Sequence, residues 1–234
     1  MKKVVGKSRP MWFDVEPNDR WADAIAHLRQ DKVMRGVIAR VGPCTLRPRR
    51  DTFVKLVQSI LSQQVSVAAA ASMYRKLAGQ FTGERVTPAD MVRFLSEGDE
   101  AVIRSCGLSR QKRAYVLDLA ERFHAGQVPS RRFSRMTDEQ IIETLTPIKG
   151  IGRWTVEMLL IFGLNRTDVW PIDDMGLQEG VRREWGWPTR PKAKEIIDFG
   201  DKFRPYRSIA TWYLWRSKDV PALSSLPVSR ARGP

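Results

Sequence analysis

Helical periodicity runs through almost the whole of this chain and leaves little room for any other kind of element. Asp51 opens TFVKLVQSILSQQ, in which Phe53, Leu56, Val57, Ile60 and Leu61 recur at spacings of three and four. Ser66 leads an Ala-rich helix, VAAAASMYRKLAGQF, suited to close packing. Thr87 followed by Pro88 reads as a cap with proline at the first helical position. Ser109 precedes QKRAYVLDLAERFHAG, which ends at Gly126, and Thr137 to Gln140 resembles a capping box before IIETL. Further helices are predicted over Arg153–Phe162, after Asp173–Asp174 (MGLQEGVRREW), from Pro191 (KAKEIIDFGDKF) and over Tyr206–Arg216. Near the start, Asn18–Asp19 and Asp31 read as caps for two more. Alternating strand patterns are scarce, Asn-Gly hairpin signals are absent and no solenoid period is visible. The fold class is therefore all-α.

Charge narrows the partners. Lys plus Arg is 40 against 26 Asp plus Glu, a net +14. Such a surplus suits a polyanion, because neutralising phosphates releases condensed counterions. A basic but ordinary protein has the same composition, so charge alone does not decide. No apolar run is long enough to span a bilayer, and the first residues lack the apolar stretch of a secretory signal. Cys44 and Cys106 match no metal-ligand spacing and read as reduced thiols, which sets the expectation of a cytoplasmic, nucleoid-associated protein.

The most informative segment is LTPIKGIGRWTVEML, Leu145 to Leu159. One helix ends, a turn with Gly150 and Gly152 follows, and a second helix starts at Arg153. Glycines let backbone N–H groups approach an anion closely, and the first amides of the second helix, with its dipole, favour a phosphate oxygen. Lys149 and Arg153 flank that spot, with Ile151 inside the turn and Thr155 in the helix's first turn. Such contacts hold a protein on DNA without reading sequence. Taken alone, the same pattern also describes a plain helix–turn–helix with glycine for tight packing.

The neighbourhood decides. Ile148-Lys149-Gly150-Ile151-Gly152-Arg153-Trp154-Thr155, followed by Val169-Trp170-Pro171-Ile172-Asp173-Asp174, resembles the helix–hairpin–helix–GPD superfamily of DNA glycosylases. The nearest branch is the AlkA-like 3-methyladenine DNA glycosylases, in the compact form without an N-terminal β-domain. Ile60 to Ser66, Gly107-Leu108-Ser109 through Tyr115, and Pro205 through Trp215 resemble further family segments in the family's order. The resemblance implies two helical lobes with a DNA-binding, base-excision cleft between them. Residues 16–64 and 166–220 are expected to form one lobe. Residues 65–165 are expected to form the other, with the helix–hairpin–helix at about 143–163. Residues 1–15 and 221–234 are expected to be a flexible basic start and a flexible tail.

By the same resemblance Asp174 is the catalytic carboxylate. Breaking an N-glycosidic bond leaves positive charge on the sugar, which a carboxylate stabilises. From the residues alone, Asp173 and Asp174 would simply cap a helix. With the family reading, Asp173 becomes the cap or a supporting neighbour. Trp154 stands where bifunctional relatives carry a lysine, and an indole forms no Schiff base, so a monofunctional enzyme is expected. No four-cysteine cluster exists for an iron–sulfur centre, and no side-chain cluster calls for a metal. Gln64, with Gln63 beside it, lies at the family's wedge position. A glutamine can fill the gap left by an extruded base, but it reads equally well as an exposed loop residue. Trp215 is the first choice for stacking on a cationic base, worth about 0.5–2 kcal/mol. Trp154 and Trp212 follow it, with Trp170 a weaker candidate and core packing the alternative. Met158 and Met175 stand where tyrosines are found in an AlkA-like member, making the pocket softer. His27 and His124 read as surface residues. The expected partner is double-stranded DNA with damaged bases, bound by a monomer without membrane or cofactor. The competing functions are a glycosylase for hypoxanthine, ethenoadenine or uracil, and a non-catalytic DNA clamp.

Overall fold

The computed structural model describes residues 19–47 and 51–220. The expectations for 1–15 and 221–234 lie outside the described residues. Among the described residues there is no strand, and twelve α-helices follow one another. They are α1 (Ala22–Leu28), α2 (Lys32–Val41), α3 (Thr52–Ser62), α4 (Val67–Ala78), α5 (Pro88–Glu97) and α6 (Glu100–Ser105). Then come α7 (Arg110–His124), α8 (Asp138–Leu145), α9 (Arg153–Phe162), α10 (Met175–Trp185), α11 (Ala193–Gly200) and α12 (Arg207–Ser217).

Local chemistry sets most of these starts. The Asp31 carboxylate accepts from Val33 and Met34, Asp51 from Val54, Ser66 from Ala69, and Ser109 from Lys112. Thr87 accepts from Asp90, with Pro88 beginning α5, and Thr137 and Gln140 form a reciprocal capping box on α8. Each cap satisfies an amide the helix cannot, worth about 1 kcal/mol. The first helix departs from expectation. Asp19–Trp21 is a single tight turn, and Trp21 stands at the α1 cap without a side-chain bond.

The chain divides into two compact units. The described part of one lies within Arg47–Asn165; that of the other is 19–46 and 166–220. The expected boundary after residue 64 is therefore corrected to 46. The cause is the apolar face of α3, which packs on α4, α7 and α9 and belongs with them. Upstream, the Trp21 indole donates to the Leu46 carbonyl at 2.8 Å and ties the chain to the second unit as far as that residue.

In the first unit, buried Leu56, Val57, Ile60 and Leu61 of α3 share a core with Val116 and Leu119 of α7 and Val156 and Leu160 of α9. In the second, α12 runs through the middle, with Ile209, Ala210, Trp212, Tyr213 and Leu214 all buried. Helices α2 and α10 pack on it. The Tyr213 hydroxyl donates to the Gly42 carbonyl, and Arg40 pairs with the buried Glu184. His27 is not a surface residue as expected. It is half-buried, its ring 5.5 Å from that of Tyr206.

Candidate active site

The hairpin lies wholly in the first unit. α8 ends at Leu145, residues 146–152 turn the chain, and α9 starts at Arg153. Ile148 and Ile151 are buried, and the Ile151 N–H closes the turn on the Ile148 carbonyl at 3.0 Å. Gly150 has φ +78°, and the Tyr115 ring of α7 comes within 2.2 Å of the place a Cβ would take. Glycine is required there twice, by backbone conformation and by the ring. Gln63 donates its side-chain amide to the Gly150 carbonyl at 2.8 Å, and the Lys149 N–H goes to the Asp118 carboxylate at 2.9 Å.

These bonds correct part of the expected phosphate contact. The Ile151 amide is already used inside the turn and the Lys149 amide by Asp118 of α7. Thr155 is buried. Arg153 makes two 2.8 Å bonds to Glu139 and a longer contact to Glu157, so its charge is largely matched within the unit. The arginine beside it holds the Glu139 carboxyl below its usual range. What remains for an outside anion is the start of α9 itself, with the exposed Lys149 side chain. Gly152 is the cap residue, with ordinary extended backbone (φ −94°, ψ 171°) and no side chain of its own to bond the first turn. A Cβ on Gly152 would meet nothing within 4 Å, so packing is not the reason for glycine at that position.

Asp174 lies in the second unit. Residues 166–174 are fastened to the start of α12. The Ser208 N–H donates to the Thr167 carbonyl, the Val169 N–H to the Ser208 hydroxyl, and the Arg207 guanidinium to the Asp168 carboxylate at 2.7 Å. The segment then delivers Asp174 as the cap of α10. One oxygen, Oδ1, accepts from the Leu177 N–H at 2.6 Å and from the Trp215 indole N–H at 2.7 Å. The residue is only 9% exposed. Asp173 is exposed and is not the cap, a correction of one residue in register. The cap of α10 and the expected catalytic carboxylate are thus the same side chain. Two donors on one oxygen fix the rotamer of a carboxylate well suited to meeting positive charge.

The base-pocket candidates separate by burial. Trp215 is half-buried and held by its bond to Asp174. Trp212 is core, edge-on to Tyr213 with ring centroids 4.9 Å apart. Trp170 is core too, its indole donating to the Ile196 carbonyl at 2.7 Å. Trp154 is 47% exposed in the first turn of α9, and half-buried Met158 lies one turn further on the same face. Met175, the first residue of α10, is 67% exposed. In the turn after α3, Gln64 is exposed with φ +57°, a conformation unusual for a residue with a Cβ. Gln63 points the other way, into the hairpin, and so serves as a tie, not as a wedge. Lys112 braces the same turn by donating to the Leu61 carbonyl at 2.6 Å, and burial lowers its ammonium pKa. The ties made by Tyr115, Asp118, Gln63 and Lys112 bridge 35, 31, 87 and 51 residues of chain, and no local pattern announces them.

Residues 57–205 match the family described as "HhH-GPD superfamily base excision DNA repair protein". The chain belongs to the HhH-GPD superfamily. Among HhH-GPD relatives, "DNA-3-methyladenine glycosylase 1" of Schizosaccharomyces pombe is 34% identical over 174 residues, covering 74% of this chain and 75% of its own. "Alkylbase DNA glycosidase-like protein mag2" of the same organism is 33% identical over 189 residues, covering 80% of this chain and 88% of its own. The structure of the S. pombe 3-methyladenine DNA glycosylase Mag1 in complex with abasic DNA superimposes with TM-score 0.73 at 32% identity. It covers 85% of this chain and 97% of that one. Among the described residues no group of three or more His, Cys, Asp or Glu side chains is placed to hold a metal ion, and no helix is long and apolar enough to cross a membrane.

Proposed function

We propose that this HhH-GPD protein is a monofunctional DNA glycosylase. It hydrolyses the N-glycosidic bond of alkylated bases of the 3-methyladenine and 7-methylguanine type in duplex DNA and leaves an abasic site. The observation that carries the reading is the Asp174 carboxylate, capped into α10 and held on one oxygen by Leu177 and Trp215. The target nucleotide must leave the stack before any group can reach its glycosidic bond. As the C–N bond breaks, its electron pair departs with the base and positive charge develops on the sugar. Asp174 stabilises that charge. Water then adds to C1′ and loses a proton. A methylated purine already carries positive charge and departs as a neutral base without first being protonated.

The phosphate seat at α9 holds the duplex in register without reading sequence. Gln64, exposed on its strained turn, takes the place of the extruded base. Trp154, where a lysine would make a lyase, leaves the enzyme without a Schiff-base nucleophile.

The test is release of free base from duplexes carrying 3-methyladenine, 7-methylguanine, hypoxanthine, ethenoadenine or uracil, each repeated with borohydride. Release confined to the methylated purines, with no trapped adduct, is expected. Preference for a neutral lesion would overturn the substrate assignment, and a trapped adduct would overturn the monofunctional one. Binding without release of any base would leave a DNA clamp.

A further inference from the structure

Gly176, in the first turn of α10, marks a point where three groups crowd together. A Cβ there would lie 2.9 Å from Asp174 Oδ1, 3.0 Å from Trp215 Cδ1 and 3.0 Å from Lys218 Nζ. The first two belong to the arrangement already described. The third does not. Lys218 ends α12 as its cap residue, is exposed, and makes no ion pair among the described residues. Its neighbour Asp219 faces Arg216 instead, at 3.5 Å.

An ammonium beside the catalytic carboxylate presents an electrostatic problem. Asp174 is to stabilise positive charge on the sugar, and a second cation within a few ångströms opposes that charge unless an anion stands close to it. Duplex DNA brings such an anion. The extruded sugar carries a phosphodiester on each side, so a phosphate necessarily arrives with the atom that Asp174 faces. A lysine meets a phosphate as a compact point charge on a flexible stem, without the strict geometry an arginine demands. Trp215 and Lys218, three residues apart, lie on one face of α12, so the group that holds Asp174 and the cation beside it come from one rigid turn.

We propose that Lys218 grips a phosphodiester flanking the extruded nucleotide and so sets the sugar against Asp174. Gly176 leaves the space in which its ammonium sits. The inference rests on the glycosylase reading above, but its test does not require turnover. Wild type, K218Q and K218R are titrated against a duplex containing a tetrahydrofuran abasic site across about 50–200 mM salt. In K218Q the slope of log affinity against log salt should become shallower by about 0.9. Binding should weaken most at the lower salt, by roughly fivefold, and less at the higher, while K218R keeps the wild-type slope. An unchanged slope in K218Q would overturn the proposal. So would an adduct trapped by borohydride on a natural abasic site, which has the C1′ aldehyde that tetrahydrofuran lacks, if K218Q abolishes it, because the amine would then be a nucleophile and not an anchor. If wild type releases no base yet K218Q still loses slope, the glycosylase reading fails and the anchor stands.

Discussion

Two helices of this molecule begin in opposite ways. At α10 the chain supplies its own anion: Asp174 caps the first turn and accepts from Leu177. At α9 the cap residue supplies none: Gly152 has no side chain to offer the first turn. The physics is the same, since a helix start draws negative charge through its free amides and its dipole. The difference lies in where the charge comes from. An end filled from within fixes a carboxylate in place. An end left open is the one that, on the proposed function, takes a phosphate from outside. The first depends on side chains, the second on their absence.

The comparison can be broken most severely at Asp174. Asp174→Asn keeps a good cap but removes the charge, so stability should barely move while base release falls by roughly a hundredfold or more. Single-turnover release assays and thermal melts would show the split. A variant as active as wild type would mean that α10 is capped for folding alone. Gly150→Ala comes next. It imposes a Cβ on a left-handed residue already touched by the Tyr115 ring, at about 1–3 kcal/mol in stability, with DNA affinity lost in parallel. Urea denaturation should reveal it, and wild-type stability would contradict the double requirement for glycine.

Trp215→Phe keeps the ring but loses one hydrogen bond to a charged oxygen, so release should slow about tenfold with duplex binding unchanged. Equal loss of binding and rate would assign Trp215 to the base pocket alone. The smallest effect tests the open end directly. Gly152→Ser gives α9 a cap of its own, and a Cβ has room there. Stability should rise by a few tenths of a kcal/mol while DNA affinity drops a few-fold. A serine that left DNA affinity intact would move the phosphate seat elsewhere.

What could be read from the chain follows the range of the forces involved. Caps act over three residues, and Asp31, Asp51, Ser66, Thr87, Ser109 and Thr137 stand where the sequence puts them. The six-residue α6, capped by Asp99, is too short to show a period and was not anticipated. At Asp173–Asp174 both residues can cap, and the choice is made by the distant Trp215. Arg153 looked like a cation offered to DNA because Glu139, fourteen residues upstream, is matched to it only once α8 and α9 fold back on each other. Gln63 and Gln64 are chemically identical neighbours. Only the turn that aims one at Gly150 and exposes the other tells them apart.

The second unit is assembled from two pieces of chain with the whole first unit between them. During synthesis α2 therefore leaves the ribosome long before α10 and α12, the helices that pack on it. At about 5–20 residues per second the intervening stretch takes roughly ten seconds. Through that interval Met34, Val37 and Ile38 have no core to enter. The unit that holds Asp174 is thus the last to form, and a chain halted after the hairpin would carry the proposed phosphate seat without the carboxylate proposed to do the chemistry.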